Sequence, residues 1–152
     1  MFGLDKYHYT ASKSLMIYSF FSSGPKGTIH KVARFSALAE NVYNFGFGDY
    51  EPATGKTSDV VNSNNGDAAK IMGTLGSIIY DFTNVFSEAA IFVHGTSAAK
   101  TRFYQFSINK HWEEINPIFE VIGLKNDKWE SFEKVINYQA FIERRKDDFL
   151  LK

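Results

Sequence analysis

The apolar residues of this chain change their spacing after its first third, and this change constrains the fold more than any other feature. Residues 68–86 place apolar side chains at i, i+3, i+4 and i+7, the spacing of one helix face. Earlier, residues 27–37 alternate with a period of two, which is typical of a strand. Three more segments look extended, so we predict four strands before the helix, over residues 6–10, 14–22, 27–37 and 42–50.

The second half of the chain predicts a strand, another helix and three more strands. The apolar run 89–93 indicates a short strand, and a helix is expected over about 97–115 because Pro117 then ends it. The apolar positions of this helix are Ala99, Phe103, Phe106, Ile108, Trp112 and Ile115. The last three strands are predicted over 118–124, 129–132 and 138–144, with residues 125–128 as a tight turn.

Together these elements predict an α+β fold in the order ββββ-α-β-α-βββ. We expect a largely antiparallel sheet with two main helices packed on one face. The length of 152 residues favours one domain, over residues 1–145, followed by a charged tail over residues 146–152.

Composition excludes several kinds of site. Lys and Arg together number 17, as do Asp and Glu, so no global basic field attracts nucleic acid. The chain contains no cysteine, which excludes disulfides, thiolate metal sites and a cysteine nucleophile. The apolar run 15–21 is too short to span a membrane. We expect a cytoplasmic protein without a cofactor or a membrane partner.

The junction between the strand at 89–93 and the second helix is the predicted ligand-binding site. Gly95, Thr96 and Ser97 precede or open the helix, where unpaired backbone amides and the positive end of the helix dipole point outward. Lys100 and Arg102 follow within two turns, so an anion would meet amides, hydroxyls and cations together. Tyr104 is expected to stack or donate. The alternative is an ordinary helix cap with two solvated cations.

Three more residues are predicted to support this site. Asp49 ends a strand and Asp67 lies in the first turn of the first helix, which Asn64 or Asn65 is expected to cap. Either carboxylate could pair with Arg102 or hold a metal, although a turn acid and a helix-start acid explain them equally well. His94 is the one histidine beside the predicted site, as an acid or base or as an ordinary strand-end residue. No histidine spacing indicates a metal site.

A second surface is considered for single-stranded nucleic acid. Its cations come from the predicted strand 27–37 and the turn before it, and two aromatic residues from the preceding strand could add stacking. The alternative is a routine solvated sheet face. The set comprises Lys26, His30, Lys31, Arg34, Tyr18 and Phe20.

Several short motifs resemble those of a family of small bacterial proteins of unknown function. They are Phe47-Gly-Asp-Tyr50, Asn64-Asn-Gly-Asp67, Gly24-Pro-Lys-Gly27, the block from Gly95 to Tyr104, and Trp129 with Tyr138 and Phe141. This chain has Lys100 where the family more often has Arg, which keeps the charge but loses the forked donor. The resemblance implies a shared fold and a shared special site, and no activity.

Two functions are therefore expected as alternatives. In the first, the chain binds a phosphate-bearing ligand, an RNA or a nucleotide, at the predicted junction, in a bacterial toxin–antitoxin or phage-defence setting. In the second, it is a non-enzymatic interaction module that assembles with a cognate protein or as a homodimer. The sequence leaves open whether the protein is an enzyme.

Overall fold

The computed structural model describes residues 5–58 and 65–146, which form nine strands and three helices. The chain divides into two compact units. Among the described residues, the first unit comprises 5–35, 46–58 and 65–82, and the second comprises 36–45 and 83–146. Two strands and one helix contribute residues to both units, and the assignment of one domain to residues 1–145 stays a prediction.

The strands are β1 (Thr10–Ala11), β2 (Ile17–Gly24), β3 (Gly27–Ala39), β4 (Val42–Glu51), β5 (Lys56–Ser58), β6 (Ala90–Val93), β7 (Phe119–Lys125), β8 (Lys128–Ser131) and β9 (Ala140–Arg145). The helices are α1 (Ala68–Val85), α2 (Ala98–Lys110) and α3 (Trp112–Ile115).

In the first unit, antiparallel strands carry the apolar face on which α1 packs. β2 pairs with β1 on one side and with β3 on the other, and β5 pairs with the end of β4. The Phe35 ring of β3 stacks on the Phe82 ring of α1 with centroids 3.8 Å apart. Most of the predicted helical stripe is buried, while Ala68 is exposed and Phe86, just past the end of α1, is half-buried. The buried residues are Ile71, Met72, Leu75, Ile78, Ile79 and Phe82. Burial of this stripe therefore holds α1 in place.

The β2–β3 turn interlocks with the segment that enters α1. Asn65 is buried, and its amide donates to the Ser22 hydroxyl and the Gly27 carbonyl, while its Oδ1 accepts from the Lys26 amide. A Cβ on Gly24 would lie only 2.0 Å from the Asn65 carbonyl oxygen, so a glycine is needed there. Asn65, from the second short motif, thus contacts the first motif at residues 24–27.

In the second unit, the first part of β4 pairs with β6 in parallel, at Val42↔Ala90. β9 lies between β6 and β7 and is antiparallel to both, and β8 returns antiparallel to β7. Asn126 and Asp127 both have positive φ in the two-residue turn, as the hairpin geometry requires. The predicted α+β class with a largely antiparallel sheet is confirmed.

Tertiary contacts shift several element boundaries from their predicted positions. β1 covers Thr10–Ala11 rather than 6–10, because Tyr7 there donates its amide to Thr74 of α1 instead of joining a strand ladder. The helix predicted over 97–115 breaks at His111, whose φ of −104° and ψ of 17° separate α2 from α3. Asn65 does not cap α1, because its side chain is held by the β2–β3 turn. Asn64 and residues 147–152 lie outside the described residues.

A Gly24→Ala substitution should destabilise the protein by roughly 1–3 kcal/mol, because a methyl group would collide with the Asn65 backbone. The measurement is the free energy of unfolding in urea. Ser23→Ala, at the exposed neighbouring position, is the matched control and should change stability little. Equal values for the two variants would contradict the proposed interlock.

Glu143 should make stability fall as pH rises. It lies on β9 between Ile91 and Val121, and burial raises its pKa to about 7 from the usual 4.5. Between these pH values the folded chain holds a proton that the unfolded chain loses, so unfolding becomes easier by roughly 3 kcal/mol. Urea unfolding at both ends of this window should show the loss in the native protein and not in Glu143→Gln. A native protein without the loss would refute the prediction.

Candidate functional site

The junction between β6 and α2 is built by one close backbone contact. β6 ends at Val93, and Gly95 then lies against the first turn of α2, where an added Cβ would be 2.4 Å from the Thr101 amide nitrogen. The Gly95 amide donates to the Thr101 hydroxyl over 3.0 Å. Any larger residue at position 95 would push α2 away from the strand end.

Ser97 caps α2 in the manner that the sequence predicts. Its backbone is extended, with φ of −140° and ψ of 162°, and its hydroxyl accepts from the Lys100 amide over 3.2 Å. The amides of Ala98 and Ala99 precede this position and have no acceptor within a helix. They therefore point outward from the start of α2 together with the positive end of its dipole.

A cleft of about 410 Å³ opens at this helix start. Residues of the β6–α2 junction form one wall, and the segment before β9 forms the other. The lining residues are Gly95, Thr96, Ser97, Ala98, Thr101, Arg102, Tyr138 and Gln139.

Arg102 provides the positive charge of the cleft. Its side chain is exposed, and within residues 5–58 and 65–146 no hydrogen bond or ion pair engages its guanidinium. A guanidinium presents several donors in one plane, which suits a phosphate or carboxylate group. The structure thus brings four predicted site residues into one cleft, namely Gly95, Thr96, Ser97 and Arg102.

Lys100 and Tyr104 lie on a different side of α2. Both side chains are buried, Lys100 with 4% of its surface exposed and Tyr104 with 5%, and neither lines the cleft. The Tyr104 ring meets Phe45 edge-on, with centroids 6.5 Å apart. The structure therefore assigns Tyr104 to the core of the second unit.

The supporting carboxylates have partners within the first unit. Asp49 forms an ion pair with Lys31, which is completely buried. Asp67 accepts through Oδ2 from the Tyr7 hydroxyl over 2.6 Å and from the Ser22 hydroxyl over 2.5 Å. These contacts tie strands and the start of α1 together, as a structural role requires.

His94 is exposed at the end of β6, and its ring lies 5.2 Å from the Phe92 ring. It does not line the cleft, although it directly precedes Gly95. The structure therefore places it beside the predicted site rather than inside it.

The prediction that the six residues considered for single-stranded nucleic acid form one exposed surface is wrong. Tyr18, Phe20 and Lys31 are all buried, because β2 and β3 turn these residues toward the core of the first unit. Lys31 also has its charge matched by Asp49. The neighbouring face instead stacks the His30 ring on Phe21, with centroids 4.7 Å apart.

Sequence reasoning missed Thr101, Tyr138 and Gln139 as lining residues. Thr101 belongs to the block from Gly95 to Tyr104, and its hydroxyl is the sequence signal that points to it. Tyr138 and Gln139 arrive from a segment nearly forty residues later, held to α2 by Gln105, whose side chain accepts from the Tyr138 amide over 2.9 Å. No local sequence pattern indicates the contact between Gln105 and Tyr138.

The described residues contain no group of three or more histidine or carboxylate side chains that could hold a metal ion. No helix in the described parts of the chain combines the length and the apolar character needed to cross a bilayer.

Comparison with protein families places the chain in one family. Residues 3–146 match the model of a family of unknown function (DUF6934), so the chain belongs to that family. No curated protein and no solved structure gives a significant match.

Ser97→Ala should cost about 1 kcal/mol of stability, because the Lys100 amide loses its acceptor. The measurement is urea unfolding. The control is Ser87→Ala, since Ser87 is exposed and its hydroxyl makes no hydrogen bond within the described chain. A loss no larger than that of the control would show that Ser97 is not an effective cap.

Proposed function

We propose that this chain binds a phosphate-bearing ligand, an RNA or a nucleotide, in the cleft at the start of α2. One observation carries the proposal: Arg102 lines the same cleft as the residues that begin the helix. A phosphate group there would accept from the Ala98 amide at the helix start and from the guanidinium together.

The electrostatics of α2 favour an anion at this position. The helix contains no Asp or Glu over its thirteen residues, and its exposed charges are those of Arg102 at the cleft and Lys110 in its last turn. The positive end of its dipole adds to these charges, an effect of about 0.3–1 kcal/mol at an exposed site. A local positive field of this kind serves binding even though the whole chain has no net charge.

The lining favours binding over catalysis. A phosphodiester cleavage reaction needs a group that accepts or donates a proton at the reacting oxygen. The residues that line the cleft include hydroxyls, an amide and a guanidinium, but among them no carboxylate and no imidazole. The Ser97 and Thr101 hydroxyls are engaged in the helix start, and the Tyr138 hydroxyl is hydrogen-bonded to Glu130 and the Ser131 carbonyl. We therefore propose a receptor for the ligand rather than a nuclease.

The biological setting that we propose is a bacterial cytoplasm, in toxin–antitoxin function or phage defence. This part of the proposal is an analogy with other small proteins that bind RNA or nucleotides. It adds no requirement to the geometry of the cleft.

A second candidate function is self-assembly or binding of a cognate protein. It is supported by Trp129, which is 41% exposed on β8, the last strand in the sheet order. Exposed aromatic residues on a terminal strand are features of protein interfaces. Light scattering that shows a dimer, with no response to phosphate, would favour this candidate.

Inorganic phosphate and uridine monophosphate should each raise the melting temperature, and Arg102→Ala should abolish the shift. The reason is that a ligand bound only to the folded state stabilises it, by about 2.7 kcal/mol at a hundredfold excess over Kd. For a chain of this size each kcal/mol corresponds to roughly 2–4 °C. The measurement is differential scanning fluorimetry over a range of ligand concentrations.

Arg144→Ala is the matched control for Arg102→Ala. Arg144 is an exposed arginine of the second unit that faces Glu120 and does not line the cleft. Its removal should leave the ligand-induced shift unchanged. An unchanged melting temperature of the native protein in saturating phosphate and nucleotide would refute the proposal.

A further inference from the structure

Helix α2 is turned in an unexpected way, with polar residues inside and an aromatic residue outside. It buries Lys100 and Gln105 but leaves Phe106, one of its apolar positions, 59% exposed. An exposed large apolar side chain together with buried polar ones is an informative departure from ordinary packing.

The rotation of α2 is set by the contacts of the two residues that precede Phe106. Gln105 donates to the Ile136 carbonyl and accepts from the Tyr138 amide, so it clamps the segment before β9. Tyr104 packs against Phe45. Because adjacent helical residues point about 100° apart, these contacts turn Phe106 to solvent.

Phe106 lies between two cations on the exposed face of α2. Arg102 precedes it by four residues and Lys110 follows it by four, and both side chains are exposed. Residues four apart share one face of a helix and lie about 6 Å apart along its axis. The row thus alternates a guanidinium, an aromatic ring and an ammonium, beginning at the cleft.

We infer that the row Arg102–Phe106–Lys110 binds single-stranded nucleic acid, with a phosphate in the cleft and the chain continuing along α2. This inference rests on the proposed function and specifies its ligand as a polynucleotide rather than a mononucleotide. Cations bind the phosphates and a base stacks on the Phe106 ring, as in other single-strand binding surfaces. The absence of acidic residues from α2 complements the polyanion along the whole helix.

The test is fluorescence anisotropy with a labelled oligouridylate, with uridine monophosphate as a competitor. The oligonucleotide should bind at least about tenfold more tightly than the monophosphate. Phe106→Ala should weaken oligonucleotide binding by about fivefold to a hundredfold, the effect of one lost base stack, and leave monophosphate binding unchanged. Lys110→Ala should lower the slope of log affinity against log salt by about one.

Two variants serve as matched controls. Phe21→Ala removes another exposed phenylalanine, 56% exposed in the first unit, and Lys13→Ala removes an exposed lysine of the same unit. Neither should change oligonucleotide binding. Both, like Phe106→Ala, change exposed positions, and circular dichroism should confirm that all three remain folded.

Failure of this inference can be distinguished from failure of the proposed function. Monophosphate binding that needs Arg102, with no gain from added nucleotides and no effect of Phe106→Ala, overturns the inference and leaves the proposed function standing. Oligonucleotide binding that survives Arg102→Ala overturns both, as does the absence of any binding. A dimer that Phe106→Ala dissociates, without any change in oligonucleotide binding, overturns the inference in favour of a second copy on this face.

Discussion

The candidate site depends on the contact between Gly95 and the first turn of α2. A helix start can approach a strand end this closely only if the intervening residue has no side chain. The contact brings the start of α2, at Ser97 and Ala98, to the cleft that Arg102 lines. It also ties the two elements through the hydrogen bond from the Gly95 amide to Thr101. The cleft therefore follows from backbone packing, and its charge follows from the side chains of α2.

Features governed by local chemistry could be predicted from the sequence, and features governed by distant partners could not. Alternation of apolar residues predicts β3, and helical spacing predicts α1. The position of residues 125–128 between two predicted strands indicates the turn at Asn126 and Asp127. The sequence does not indicate which face of α2 is buried, because Gln105 is held by a segment about thirty residues later. The motif at Asn65 predicted a helix cap, but the β2–β3 turn recruits its amide instead. In the candidate site, the sequence predicts the residues at the start of α2 but gives no indication of the opposite wall, which Tyr138 and Gln139 form.

The two units place charge in their cores in different ways. In the second unit Glu143 is buried on β9, with a raised pKa that keeps it protonated at mildly acidic pH. Arg145, two residues later, donates to Thr83 and Asn84 and lies over the Phe119 ring. Buried polar groups need such specific partners, so they restrict the packing arrangements available to a core.

In the first unit, Lys31 and Asp49 neutralise each other inside the apolar core. Replacement of either residue alone would leave the other charge buried without a partner and lower the stability by roughly 3–5 kcal/mol. Replacement of both by apolar residues of similar volume can leave the stability unchanged. During evolution, replacement of one of these two residues is therefore tolerated only together with replacement of the other. Within the family the two positions should covary, and a lineage that has lost the lysine should also have lost the aspartate.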